Sequence, residues 1–226
     1  MSEIYLNDIK KLKLSYKVIV REDASVYSFE ISEDLLINSS FLKVRRLTSE
    51  EYQKFLNNLP FDSVYLQALK FAFRKRRTIK EVKTYLESLT SSDEIIDEVV
   101  KKLVTSALLN DEDYFESYLD YAINVKRDGY NKIKDDLTKI GIYKDFYYPE
   151  ESLKDNILIL ENKYIKSSRD MSKDLRINKA KAHLLRKGYR EAEINRYFDY
   201  SIIGEGSSIR RKMSFKEIKE TIEKEA

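Results

Sequence analysis

Few residues of this 226-residue chain are of types that carry out covalent chemistry. His183 is the sole histidine, and it stands mid-helix among Lys181, Ala182, Leu184 and Leu185. That setting suits a structural or surface imidazole better than a general base or a metal ligand. Asp111, Glu112 and Asp113 form an acidic triplet of the kind that can hold Mg²⁺. They follow Asn110 at the head of an apolar-periodic stretch, however, where the positive end of a helix dipole favours acids. Cysteine is absent, which removes thiolate nucleophiles, thiolate metal sites and disulfides, and suits a reducing compartment. No glycine-rich phosphate loop, H-E-x-x-H or G-x-S-x-G motif occurs. The expectation is a non-enzymatic protein with no cofactor and no metal.

The cations say more. Lys10, Lys11, Lys13, Lys17 and Arg21 lie within residues 10–21, which contain no acid. Lys70, Arg74, Lys75, Arg76 and Arg77 form a second cluster, and the pairs Lys126-Arg127 and Arg186-Lys187 stand just before Gly129 and Gly188. Such groups contact phosphates or acidic protein surfaces. They also complement the negative end of a helix dipole, and lysines on an edge strand block unwanted pairing. The candidate binding residues are therefore Lys11, Lys13, Lys17, Arg74, Lys75, Arg76, Arg77, Lys126, Arg127, Arg186 and Lys187, with both readings open. The net charge of +3, from 42 basic and 39 acidic residues, is too small to decide between them.

The elements that must position these groups are mostly helical. Apolar residues make up 42% of the chain, enough for a core, and only two prolines and five glycines interrupt it. Residues 9–21 alternate, with Leu12, Leu14, Tyr16, Val18 and Val20 on one face, which predicts a half-buried strand. Polar residues 22–25 then turn the chain into a second strand over Val26 to Ile31. A short helix is expected from about Glu33, and another from Ser49 to Asn58, opened by Thr48 or Ser49 and closed before Pro60.

Beyond Pro60 the period becomes helical. Tyr65, Leu66, Leu69, Ala72 and Phe73 form one apolar stripe. Thr78 with Glu81, and Ser91 with Glu94, are capping-box patterns opening two further helices. A helix from Asn110 should bury Tyr114, Tyr118, Tyr121, Ala122 and Val125, and end at Gly129 as a left-handed cap. Further helices are predicted over 131–140 (ended by Gly141), 150–166, 175–187 (ended by Gly188) and 191–203. Leu86, Leu137 and Leu184 recur at a period of about 50 residues, each preceded four residues earlier by Val82, Ile133 or Ala180. Stacked helical repeats would give that pattern.

Three stretches carry a family resemblance. Residues 68–86 hold Ala68-Leu69, the basic pair Arg76-Arg77, then Thr78-x-x-Glu81-Val82 and Leu86. Leu108-Leu109-Asn110-Asp111 continues to Tyr114, then to Gly129-Tyr130, Ile133, Leu137 and Gly141-Ile142. Leu184 is followed by Lys187-Gly188-Tyr189 and Ile194. In this order and spacing, over roughly residues 65 to 200, they resemble the three repeats of the RecX family. Two features depart from it: Ala107 replaces the usual glycine before Leu108, and Pro149 cuts short a helix that should begin near Lys144.

The resemblance implies a mostly α protein of tandem three-helix repeats, an elongated and curved body with a small N-terminal β-hairpin module. The expected segments are 1–60 for that extension, 61–109, 110–149 and 150–203 for three repeats, and 204–226 for a basic, amphipathic tail. It further implies a cytoplasmic regulator that binds the RecA recombinase filament on single-stranded DNA, directly or through RecA. There it would inhibit recombinase, ATPase and coprotease activity and favour disassembly in DNA repair and the SOS response. A monomer without membrane contact is expected, since residues 1–8 lack signal-peptide character and no apolar run nears bilayer length. Two alternatives stay open: a helical scaffold for another protein, or a DNA-binding protein independent of RecA.

Overall fold

The computed structural model describes residues 3–42, 45–167 and 171–200. It divides into two compact units, Met1–Tyr114 and Phe115–Ala226.

The first unit opens with a four-stranded antiparallel sheet: β1 (Ile4–Lys11), β2 (Tyr16–Glu22), β3 (Ser25–Ile31) and β4 (Arg46–Leu47), in the order β3-β2-β1-β4. The single strand expected over 9–21 is in fact two. The alternation of Leu12 and Leu14 runs through a tight turn, closed by the Leu12 N–H donating to the Ser15 carbonyl at 2.8 Å. Lys11 then pairs with Tyr16, and a bulge between Leu6 and Asp8 resets the register. Ile4, Val18, Val20 and Ile31 face inward and are fully buried. Each such side chain contributes about 1.5–3 kcal/mol.

Helix α1 (Glu33–Asn38) starts where expected and is capped by Ser32, and a 3₁₀ turn covers Ser40–Leu42. Helix α2 begins after Thr48 with a complete capping box to Glu51 and runs from Ser49 to Arg74, straight through Pro60. An interior proline costs about 3 kcal/mol. The helix persists because it serves two cores. Phe55, Leu56 and Leu59 pack with the sheet, while Tyr65 and Ala68 pack with α3 (Ile79–Glu87) and α4 (Asp93–Thr105). Phe73, expected on the buried stripe, is exposed at the end of α2.

Helix α3 has the predicted box between Thr78 and Glu81. Helix α4 is capped by Ser92 rather than Ser91, through the Ile95 N–H. It ends in a Schellman motif: the Ala107 N–H donates to Val104 and the Leu108 N–H to Leu103. Ala107 holds φ 57°, the left-handed region that favours glycine. The departure from the family pattern thus sits where a glycine would relieve strain. Ala107→Gly should raise stability by about 1 kcal/mol, read as a higher denaturant midpoint at unchanged slope.

Helix α5 (Asp111–Asp120) continues as a π-helical segment, Tyr121–Lys126. The wider turn carries the chain off the α period. As a result Ala122 and Ile123 are buried, whereas Tyr121 and Val125, expected inside, are exposed. The left-handed cap is Arg127 (φ 55°), not Gly129, whose extended backbone precedes α6 (Tyr130–Lys139). No helix covers 141–149; α7 (Glu150–Ser167) begins directly after Pro149. Helices α8 (Lys173–Arg186) and α9 (Glu191–Tyr197) pack with α7 around Leu153, Ile157, Leu160, Leu184, Tyr189 and Ile194. Helix α9 stops short of the expected Ile203 because Phe198 turns extended and buries. Residues 201–203 and the 204–226 tail lie outside the described residues.

All six repeat positions are buried: Val82, Leu86, Ile133, Leu137, Ala180 and Leu184. The recurring helix end, though, joins Leu103–Ala107, Leu137–Gly141 and Leu184–Gly188, each a Schellman motif with an apolar residue next (Leu108, Ile142, Tyr189). At Leu86–Thr90 the Leu89 and Thr90 N–H groups both donate to the Leu86 carbonyl instead.

Candidate functional site

The candidate cations fall in three places, each set by the local fold. The first is the sheet. Val18 and Val20 point to the core, so Lys17 and Arg21 lie on the outer face. Register places Lys17 directly across from Lys10 on one side and Glu30 on the other. Glu30 is engaged elsewhere: it accepts from Lys70 Nζ at 2.7 Å and from the Ser15 hydroxyl, and these bonds hold its carboxyl below the usual range. Lys11 leans over the Tyr16 ring at 5.6 Å, and Lys13 is exposed on the turn. Sequence reasoning missed two neighbours on this face. Tyr5 pairs with Arg21 on β2 and Arg46 on β4, and both guanidinium groups approach its ring, at 5.1 and 5.7 Å. The alternation of Ile4, Tyr5 and Leu6 was its only signal.

The second place is the end of α2. Arg74, Lys75 and Arg76 are exposed, whereas Arg77 is turned inward, its side chain 17% exposed. The Arg77 guanidinium donates to Glu81 at 3.1 Å and lies 4.0 Å above Phe71, which stacks on Tyr85. Arg77 therefore holds α3 against α2, while Lys75 lies 3.9 Å from the same Glu81 carboxylate and Arg74 and Arg76 are exposed.

The third place joins two pairs far apart in sequence. Loop 126–130 crosses loop 187–190 so closely that their backbones bond: the Gly129 N–H donates to the Lys187 carbonyl at 2.6 Å, and the Asn131 N–H to Gly188 at 3.1 Å. A Cβ on Gly129 would stand 2.4 Å from the Gly188 carbonyl carbon. Lys187 is a strut within this crossing. Its ammonium donates to the Lys126 carbonyl at 3.0 Å and pairs at 2.9 Å with Asp128, whose side chain is 4% exposed. Tyr189 donates to the Arg127 carbonyl at 2.9 Å, and burial pushes its phenol pKa well up. Lys126 lies over the rings of Tyr118 and Tyr121. Arg186 and Lys126 are exposed, so of these four they are the ones placed to meet a partner.

The remaining chemistry-bearing residues serve the fold. His183 stacks on Tyr164 at 5.2 Å, and burial lowers its pKa, which favours the neutral ring. Asp111 accepts from the Ile79 N–H at 2.9 Å, tying the start of α5 to that of α3. Among the described residues no group of three His, Asp or Glu is placed to hold a metal, and no helix is long and apolar enough to cross a membrane.

No family model matches the chain. Regulatory protein RecX of Bacillus cytotoxicus is 27% identical over 187 residues, 80% of this chain and 69% of that protein. The matched stretch spans 63% of other curated Bacillus relatives with the same name, so the chain covers less than two thirds of their length. A solved structure of a regulatory protein RecX matches with a TM-score of 0.60 at 20% identity, covering 85% of this chain and 98% of that one. RecX from Lactobacillus salivarius is 30% identical, with a TM-score of 0.54 over 61% of this chain and 94% of that one. A mostly helical chain with the Leu-x-x-Lys-Gly-Tyr turn at 184–189, resembling solved RecX structures in both sequence and shape, belongs to the RecX family of regulatory proteins.

Proposed function

We propose that the chain binds the filament that RecA recombinase forms on single-stranded DNA and shifts it toward disassembly. In doing so it lowers the recombinase, ATPase and coprotease activities of the filament. Family membership carries this reading, and the exposed cations give it a physical means. The outer sheet face and the end of α2 each present positive charge that a nucleoprotein filament, acidic in its phosphates, would attract. To shift the assembly equilibrium, the chain must bind one filament state more tightly than the other. It does this as a cytoplasmic monomer.

The test is RecA-dependent ATP hydrolysis on single-stranded DNA during titration with this protein. The expected result is a fall at or below stoichiometric ratios, retained at salt concentrations that abolish binding to bare DNA. An unchanged rate over a wide titration would overturn the proposal and favour a scaffold for some other protein. The double reversal Arg74→Glu with Arg76→Glu should weaken filament binding about tenfold with an unaltered melting curve, because both side chains are exposed. Arg77→Glu should instead lower the melting temperature, since it breaks the contacts to Glu81 and Phe71.

A further inference from the structure

The outer face of the sheet has features that stability alone does not explain. Its two central strands, β1 and β2, bring Lys10 and Lys17 into register as direct cross-strand partners. Like charges directly opposite one another destabilise a sheet. The register neighbour that would neutralise them, Glu30, is held by Lys70 and Ser15. One end of the same face carries the row Val26, Arg21, Tyr5 and Arg46, set side by side across all four strands. Tyr5 there is half-buried between two exposed guanidinium groups, of which Arg46 lies 3.5 Å from the Glu3 carboxylate and Arg21 has no ion pair among the described residues. The helices pack on the opposite face of the sheet. The result is an outer surface with an aromatic ring and two planar cations at one end and a pair of ammonium groups about 13 Å along the strands.

We infer that this face is a platform for single-stranded DNA, on which Tyr5, with Arg21 and Arg46, takes a base and Lys10 and Lys17 take phosphates. Stacking surfaces and a line of cations are what an unpaired strand requires, and every base offers a π-face. A duplex hides those faces and presents only phosphates. An acidic protein segment would satisfy the lysines but leave the Arg–Tyr–Arg row without a role. The choice of a deoxyribose strand rests on the filament reading above, whereas the platform geometry stands without it.

The chain contains no tryptophan, so Tyr5→Trp places a single tryptophan at the platform, which can be excited selectively at wavelengths where tyrosine does not absorb. With the full-length protein, oligothymidylate should quench its emission, while the same strand paired with oligoadenylate should leave it bright. Tyr5→Ala should weaken oligothymidylate binding about tenfold. Lys10→Gln and Lys17→Gln should each reduce the slope of log affinity against log salt by roughly 0.7, because each is assigned to a phosphate. Absent quenching, equal binding of the duplex, or tighter binding of oligouridylate would each overturn the assignment. Should Tyr5→Ala lower the melting temperature, the tryptophan signal still decides. RecA-dependent ATP hydrolysis measured with the same Tyr5→Trp protein separates the two proposals. Quenching without an effect on hydrolysis refutes filament regulation alone, and an effect on hydrolysis without quenching refutes the platform alone.

Discussion

Gly188→Ala is expected to destabilise the second unit by about 4 kcal/mol, lowering its melting temperature by roughly 17 °C. Two costs combine. Gly188 holds φ +86°, which a side chain tolerates poorly, and a Cβ there would meet the Lys132 backbone nitrogen at 2.3 Å and its Cβ at 2.4 Å. Neither atom is the flexible tip of a side chain, so relief requires the first turn of α6 to move as a body. Gly129→Ala attacks the same crossing from the other side, against the Gly188 carbonyl carbon and the Tyr189 nitrogen. Both substitutions disrupt one contact, so the double variant should cost clearly less than the sum of the singles. Thermal or denaturant unfolding of the three variants checks this. Additive losses would mean that the two glycines act separately, and a loss below about 1 kcal/mol in Gly188→Ala would mean that the crossing yields easily.

The second large effect is one of pH. Glu161 lies fully buried among α7, α8 and the chain after α9. One carboxyl oxygen accepts from the Asp199 N–H at 3.0 Å, and the other has no hydrogen-bond partner among the described residues. Burial raises its pKa to about 7; the Asp199 N–H and Lys181 pull it down, while the Asp199 charge pushes it further up. An unfolded glutamate ionises near the ordinary value of 4.5. Between those limits the native state holds a proton that the unfolded state has released, so stability falls as pH rises from about 4.5 to 7 and levels off above. The loss from this group is about 3 kcal/mol. Glu161→Gln cannot ionise and should escape it. Wild type and variant are expected to match near pH 4.5, with the variant more stable by about 3 kcal/mol at pH 8. Parallel stability curves for the two proteins would refute this assignment.

Neither Gly188 nor Glu161 was equally visible beforehand. The helix-stopping role of Gly188 was legible, because an apolar period that ends in glycine has one common explanation. Its contact with Lys132 was not, since nothing local marks a backbone crossing some sixty residues away in sequence. Gly129 shows the converse: it stood where a left-handed cap was expected, yet the structure uses its missing side chain rather than its torsional freedom. The caps at Thr48 and Thr78 were legible for the same local reason. The break between β1 and β2 was hidden because Leu12 and Leu14 keep the alternation going through a turn. Of the candidate cations, sequence showed the clusters but not their commitments. Arg77 and Lys187 are spent on Glu81 and Asp128, and Tyr5 and Arg46 meet only through strand pairing that composition does not reveal.

Helix α2 carries a consequence for how the N-terminal sheet can be gained or lost. Its first half closes the core of the sheet, and its second half closes the core beneath α3 and α4, without a break at Pro60. A recombination point anywhere along it would leave one apolar stripe uncovered. The sheet is therefore no detachable bead on a string. A lineage could acquire or shed it only by redesigning the opening helix of the repeat body in the same step, which ties the inheritance of the two parts together.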